Sequence, residues 1–186
     1  TFDMALAYLK RSGLMQVRLL GGEPTLHPHF IEFVQKSLDN NFSIMLFTNG
    51  LISDTILETL VTIPTKKISI LLNTIHPLEN NRVGMERQQH TMAALGRKII
   101  AGVNLYSATQ ELDYLLDYIR KYNLKKEIRL GISHPVLSQN NTFLHPKEYP
   151  KIGRKIVEFK LKVKEYGIRL GFDCGFVPCM FGAEYF

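Results

Sequence analysis

The sequence predicts an α/β protein with parallel strands, arranged as part of a (β/α) barrel. Three observations predict it. Short β-branched or apolar runs alternate with longer segments of helical period. The runs are nearly continuous in their hydrophobicity, as strands covered on both faces are. Polar residues gather at the C-terminal ends of the runs, where α/β folds place their sites.

The elements follow in order. Candidate strands are residues 16–20, 42–47, 67–72, 98–105, 127–132 and 168–172. After the first, Pro28 suits an opening helical turn, and Phe30, Phe33, Val34 and Leu38 form one apolar stripe. Ser53 is placed to cap the next helix, with Ile56, Leu57, Leu60 and Val61 facing inward and Pro64 ending it. A further helix is expected over 85–97. Ser107 and Gln110 have capping-box spacing ahead of Leu112, Leu115, Leu116 and Ile119. Ile152, Ile156, Phe159, Val163 and Tyr166 make the longest stripe, which Gly167 is placed to stop. Residues 135–149 form the one long irregular connection.

Six strands in series fit either an open doubly wound sheet or part of a barrel. Thr48, Asn49, Asn73, Asn104, Ser133 and His134 lie at or just past strand ends. With the end of the first strand they spread polar groups over five strands, which suits a barrel mouth better than a single switch-point crevice.

Size and composition set the outer bounds. The 186 residues, 45% of them apolar, suffice for one core, so residues 1–186 read as a single domain. The chain opens at Thr1 and stops at Phe186 behind an apolar stretch, which reads as a piece of something longer. No run reaches the ~20 apolar residues of a membrane span, and no secretory pattern opens the chain. A cytoplasmic protein is the expectation, with no membrane partner. Two cysteines, Cys174 and Cys179, are too few and too local for a disulfide-stapled scaffold and point to a reducing compartment. The net charge of +6 admits an acidic or nucleic-acid partner. Much of it, however, falls in 120–129 and 147–169, interleaved over 147–164 with a helical apolar stripe, as on a solvated outer face.

The segment VRLLGGEPTLHP, from Val17, carries the chemistry: a strand that stops at two glycines, a glutamate and a proline before a helix. It has neither the phosphate-loop spacing GxxxxGK[ST] nor GxGxxG. Gly21 and Gly22 let a ligand approach the backbone, Pro24 holds the exit turn, and Glu23 presents a carboxylate that favours a bound ammonium group.

GGEPTLHP, followed some twenty residues on by LFTNG, resembles the radical S-adenosylmethionine (SAM) superfamily. The resemblance runs through the order of strands and helices over nearly the whole chain. It implies that Gly21, Gly22, Glu23 and Pro24 meet the amino group of the methionine end of SAM. Thr48, Asn49 and Gly50 match the family's TNG, with an Asx turn at Asn49 as the structural alternative. Asn73 and Asn104 stand where family members contact the cofactor's ribose or carboxylate, although the strand closing at Asn73 lacks the common Ser-x-Asp ending. His76 and His134, each before a proline just past a strand, can face a substrate or satisfy loop backbone.

The family's CxxxCxxC, which holds a [4Fe–4S] cluster, does not occur in these residues; the resemblance places it upstream of Thr1, with the first barrel strand also missing from this piece. The piece by itself is then expected to be inactive. The tail FDCGFVPCMF, within 172–186, resembles the start of a cysteine-rich extension, where Cys174 and Cys179 would begin an auxiliary cluster site that two thiolates cannot complete.

The resemblance implies reductive cleavage of SAM to a 5′-deoxyadenosyl radical that abstracts a substrate hydrogen, as an oxidoreductase or transferase. A flavodoxin or ferredoxin would supply the electron, and the substrate, unknown, is by analogy a peptide. Two other classes compete: a non-catalytic cofactor-binding module, and an RNA-modifying or RNA-binding protein, disfavoured by the lack of an aromatic-and-basic RNA motif. An exposed sheet edge beside strand 16–20 invites self-association.

Overall fold

The computed structural model describes residues 1–138, 140–173 and 175–182. The chain folds as two compact units, Thr1–Ile100 with Tyr122–Lys125, and Ala101–Lys121 with Lys126–Phe186.

The first unit runs α1 (Phe2–Arg11), β1 (Gln16–Leu19), a 3-10 turn (Pro24–Leu26), α2 (Phe30–Asp39), β2 (Ser43–Thr48), α3 (Asp54–Thr62), β3 (Ile68–Asn73) and α4 (Arg82–Leu95). β1, β2 and β3 are parallel neighbours, with Val17 opposite Ile44 and Ile44 opposite Ile68. Parallel pairing needs a helical crossover between consecutive strands, and α2 and α3 supply it. Val17, Ile44, Leu46, Ile68, Ile70 and Leu72 are buried, as are Val34, Leu57 and Leu60 on the helices. The expectation of strands buried on both faces is corrected for β1, where Gln16 and Arg18 are exposed around Val17, for residues 169–172, none of which is buried, and for β2: Ile44, Leu46 and Thr48 are buried, while Ser43, Met45 and Phe47 between them are only half-buried. One face of β2 is thus fully packed, and the hydrophobicity of Met45 and Phe47 serves a less covered face.

In the second unit the residues of β4 (Ile99–Leu105) from Ala101 onward are followed by α5 (Tyr114–Lys121), β5 (Glu127–Ile132), α6 (Tyr149–Glu165) and β6 (Arg169–Phe172). β4 pairs parallel with β5, and β5 with β6. Ile152, Ile156, Phe159 and Val163 form the buried stripe of α6, and Gly167, with φ at +64°, follows its C-cap. The α/β class with parallel strands is therefore as the sequence predicts, and all six strands fall within a residue or two of their expected bounds.

Five local expectations are corrected. Val61 is 46% exposed on the outer side of α3, and Tyr166, 47% exposed, is the C-cap of α6 rather than part of its stripe. Ser53 sits at the N-cap of α3 but makes no side-chain capping bond. The helix expected over 85–97 starts earlier, at Arg82, because Asn81 caps it through Oδ1, which accepts from Gly84 N at 3.0 Å. The capping box at Ser107 and Gln110 does not form. The Gln110 carboxamide turns back, accepting from Tyr106 N at 3.1 Å and donating to the Asn104 carbonyl at 3.2 Å, so α5 begins only at Tyr114.

Candidate functional site

The first unit brings the ends of β1, β2 and β3 to one rim, and Glu23 ties the first two together. Its Oε1 accepts from Thr25 N (3.2 Å), Thr25 Oγ1 (2.7 Å) and Thr48 Oγ1 (2.9 Å), and its Oε2 accepts from Asn49 N at 2.7 Å. Capping the 3-10 turn of Pro24–Leu26 and anchoring the end of β2 are thus one act of one carboxylate. The sequence reading gave Glu23 to a ligand's ammonium group; in the structure the carboxylate is first a clamp between GGEP and TNG.

Gly21 and Gly22 remain outside that clamp. Both have positive φ, +104° and +57°, and a Cβ built on either meets nothing within 4 Å. No hydrogen bond among the described residues engages their backbone N–H or C=O groups. Two adjacent peptide units therefore stand open at the carboxyl end of β1, in a conformation that side chains resist and glycine adopts freely. Buried backbone groups are almost always paired, so exposed unpaired ones beside a braced carboxylate are available to a ligand.

The TNG segment is tied down differently. Asn49 Oδ1 accepts from Leu51 N at 2.9 Å, the Asx turn the sequence allowed, and Thr48 Oγ1 accepts from Gly50 N at 3.0 Å. Gly50 has φ at +77°, and a Cβ there would lie 2.8 Å from Leu72 Cδ1. Sequence reasoning missed the residues behind this loop. Gln88 is 2% exposed on α4; its Nε2 donates to the carbonyls of Asn49 (2.5 Å) and Asn73 (2.8 Å), and its Oε1 accepts from Ile75 N (2.9 Å). Thr91 Oγ1 donates to the Gly50 carbonyl at 2.9 Å, and Arg87 Nε to that of Ile52 at 2.6 Å. The signal was a glutamine and a threonine one turn apart, at positions a purely apolar stripe would not contain.

The other candidates divide. Asn73 closes β3 with its side chain exposed and its carbonyl held by Gln88. His76 is buried; its N–H donates to Glu79 Oε1 at 3.1 Å and its Nδ1 accepts from Leu78 N at 3.1 Å, a geometry that serves its own loop. Asn104 and His134 belong to the second unit. Asn104 is exposed near the end of β4, and Gly131 opposite it leaves room for its carboxamide. Arg129 lies one alternation earlier on β5 and pairs with Asp173, its Nε donating to Oδ1 at 3.1 Å; a Cβ at Gly171 would stand 2.8 Å from Arg129 Cδ. His134 is exposed, and its ring borders Gly175.

Cys179 is a free, exposed thiol in the 3-10 turn Pro178–Met180, and Cys174 lies outside the described residues. Among the described residues no three His, Cys, Asp or Glu side chains are grouped to hold a metal ion. Two cysteines in the sequence cannot furnish the three thiolates of a cluster with one open iron, so the residues present do not fit that group, whereas the ledge at Gly21 and Gly22 is open space. Among the described residues no helix is long and apolar enough to cross a membrane.

The chain is a parallel α/β protein with a glycine ledge at the first strand end and TNG clamped beside it, similar in fold to solved proteins that bind S-adenosylmethionine and, over part of its length, similar in sequence to a GTP 3′,8-cyclase. The chain is 34% identical over 89 residues to a GTP 3′,8-cyclase of Microcystis aeruginosa, covering 45% of this chain and 27% of that protein. It shares the fold of SuiB from Streptococcus suis, with a TM-score of 0.74 at 15% identity over 92% of this chain and 42% of that one. SuiB has also been solved bound to S-adenosylmethionine and bound to its precursor peptide SuiA. Native anSMEcpe, solved with bound AdoMet and Cp18Cys peptide, matches at a TM-score of 0.64 and 17% identity, over 92% of this chain and 54% of that one. No family model matches the sequence. The chain thus spans about a quarter of the curated relative and about half or less of these structural neighbours.

Proposed function

We propose that this chain is the SAM-binding part of a radical SAM enzyme, with Gly21, Gly22, Glu23 and Pro24 receiving the amino-acid end of the cofactor. The observation that carries the reading is the open pair of peptide units at Gly21 and Gly22 beside the Glu23 clamp. Their carbonyls are acceptors for an ammonium group, and Asn49 adds a carboxamide on the same rim. Asn73, and in the second unit Asn104, are the polar strand ends assigned to the rest of the cofactor, with His76 and His134 as weaker substrate candidates. SAM supplies the hard chemistry, reductive cleavage to methionine and a 5′-deoxyadenosyl radical, while this chain's residues bind and orient it.

The reaction also requires a [4Fe–4S] cluster, whose CxxxCxxC we place in the intact protein outside these 186 residues, and an electron donor such as flavodoxin or ferredoxin. A peptide substrate is supported by the peptide complexes of SuiB and anSMEcpe. A cytoplasmic location accords with the two cysteines, too few and too local for a disulfide-stapled scaffold. Cys174 and Cys179 remain proposed ligands of an auxiliary cluster completed by further cysteines.

The test measures SAM binding by equilibrium dialysis for the wild-type chain and for Gly22→Val. A β-branched residue at φ +57° is a steric outlier, and its side chain occupies the ledge. Binding is expected to weaken at least about tenfold, equivalent to ~1.4 kcal/mol, while the positive φ strains the substituted chain by about 1–3 kcal/mol although no neighbour is displaced, so thermal unfolding is measured beside affinity. Equal affinity in the two proteins removes the reading. The intact protein, reconstituted anaerobically with iron and sulfide and reduced, is expected to release 5′-deoxyadenosine. SAM binding without that product would instead identify a non-catalytic cofactor-binding module.

We also propose that the isolated chain self-associates through β1. That strand pairs with β2 on one side only, and beside it lies a cavity of about 530 Å³ lined by Phe2, Leu6, Leu9, Leu14, Val17 and Leu19. Leu14, Met15 and Leu20 are exposed around it. An open edge flanked by apolar side chains is a template for another strand. Sedimentation velocity is expected to show a dimer; a monomer at all concentrations would remove the proposal.

A further inference from the structure

Side chains of α4 hold the carbonyls at and just past the ends of β2 and β3. Arg87, Gln88 and Thr91 take the carbonyls of Ile52, Asn49 with Asn73, and Gly50 respectively. The N–H groups of Asn49, Gly50 and Leu51 are held by Glu23, Thr48 and the Asn49 side chain. Of the polar groups of residues 49–51, only Asn49 Nδ2 and the Leu51 carbonyl are left without a partner among the described residues. The loop therefore presents a chosen set of atoms, and the choice depends on what pulls its carbonyls inward.

We propose that Gln88 is a positioning residue of the cofactor site, an inference that rests on the reading of the ledge as a SAM site. It joins the ends of β2 and β3: a single buried carboxamide donates to both carbonyls and accepts from Ile75 N–H just past β3. Both of its N–H bonds are used in this way. Its stem also fills the space beside Gly50, where a Cβ would come within 3.1 Å of Gln88 Cγ. Without the carboxamide, two part-buried carbonyls and an amide lose their partner, and the cheapest relief is to rotate peptide 49–50 outward toward water. That rotation turns a carbonyl into the rim and swings Asn49 Nδ2 off its line. Gln88 thus acts on the cofactor through Asn49 and Asn73 without touching it.

The test uses the full 186-residue chain and SAM itself. Gln88→Met keeps volume and removes the hydrogen bonds; Gln88→Glu keeps the acceptor for Ile75 N–H but sets an oxygen against the two carbonyls. Leu57→Ala on α3, a buried residue away from the rim, is the control for lost stability. Thermal unfolding and equilibrium dialysis are measured for each, with amide hydrogen exchange at 49–51 and Ile75. Both Gln88 variants are expected to weaken SAM at least about tenfold and to speed exchange at 49–51, while Leu57→Ala lowers the melting temperature and leaves the dissociation constant within about twofold. If one Gln88 variant fails to fold, the other decides. Wild-type affinity in a folded Gln88 variant, or an equal loss in Leu57→Ala, overturns the inference. Absence of SAM binding by the wild-type chain overturns the underlying site reading instead, and with it this inference.

Discussion

Glu23→Gln is expected to lower the thermal stability of the chain and to weaken SAM binding together. The carboxylate accepts from two backbone amides and two hydroxyls with its two oxygens. Glutamine keeps one oxygen and turns an NH2 group toward a donor, either Asn49 N–H or the pair at Thr25. A partly buried amide then faces another donor, at a cost of about 1–3 kcal/mol. For a chain of this size that corresponds to a fall of roughly 2–4 °C in melting temperature per kcal/mol. The end of β2 loses its tie to the end of β1, so affinity is expected to drop about tenfold or more. The two readouts separate the roles of this residue. If the carboxylate served only as a charge for the ligand's ammonium group, Gln would reduce affinity and leave the melting temperature unchanged. Circular dichroism melting beside equilibrium dialysis checks this, and an unchanged melting temperature would sink the clamp.

The strands were legible because each needs only a short apolar run and a break, and both are local. The ledge was legible for a related reason: Gly21 and Gly22 sit where the chain must take positive φ, and few residue types permit that. What the sequence concealed was pairing across distance. Gln88 is far along the chain from Asn49, and its partners are backbone carbonyls, which carry no residue-type signature. Glu23 was seen as a site residue, yet its intramolecular bonds to Thr48 and Asn49 depend on the parallel register of β1 and β2, known only once the strands pair. The Gln110 capping box misled for the opposite reason. A local pattern was present, but the Asn104 carbonyl offered the same carboxamide another partner. Val61 had the right period for the α3 interior and lies outside it, since periodicity marks a face without fixing its width.

Gly153→Ala is expected to destabilise the second unit, against the usual effect of that change. Within a helix, alanine is favoured over glycine by about 1 kcal/mol, so an exposed Gly153 in α6 would gain stability from the substitution. Gly153 is buried, however, under the 3-10 turn Pro178–Met180. A Cβ there would overlap the Met180 carbonyl oxygen and lie 2.7 Å from the carbonyl carbon. These are backbone atoms, so no rotamer change relieves the contact. Met180 itself is 1% exposed, and the turn is closed by Met180 N to the Val177 carbonyl (3.0 Å) and Phe181 N to that of Pro178 (3.0 Å). Either the turn lifts off α6, or α6 slides and loosens Ile152 and Ile156. Overpacking of this kind costs about 1–3 kcal/mol, and lifting the turn adds the exposure of Met180, so the loss outweighs the helix gain. Thermal unfolding with limited proteolysis around residues 175–182 checks it: the expected result is a lower melting temperature with faster cleavage there. A rise in melting temperature would mean that the turn is not seated on Gly153, and that the backbone carrying Cys179 is held to α6 by something other than this close approach.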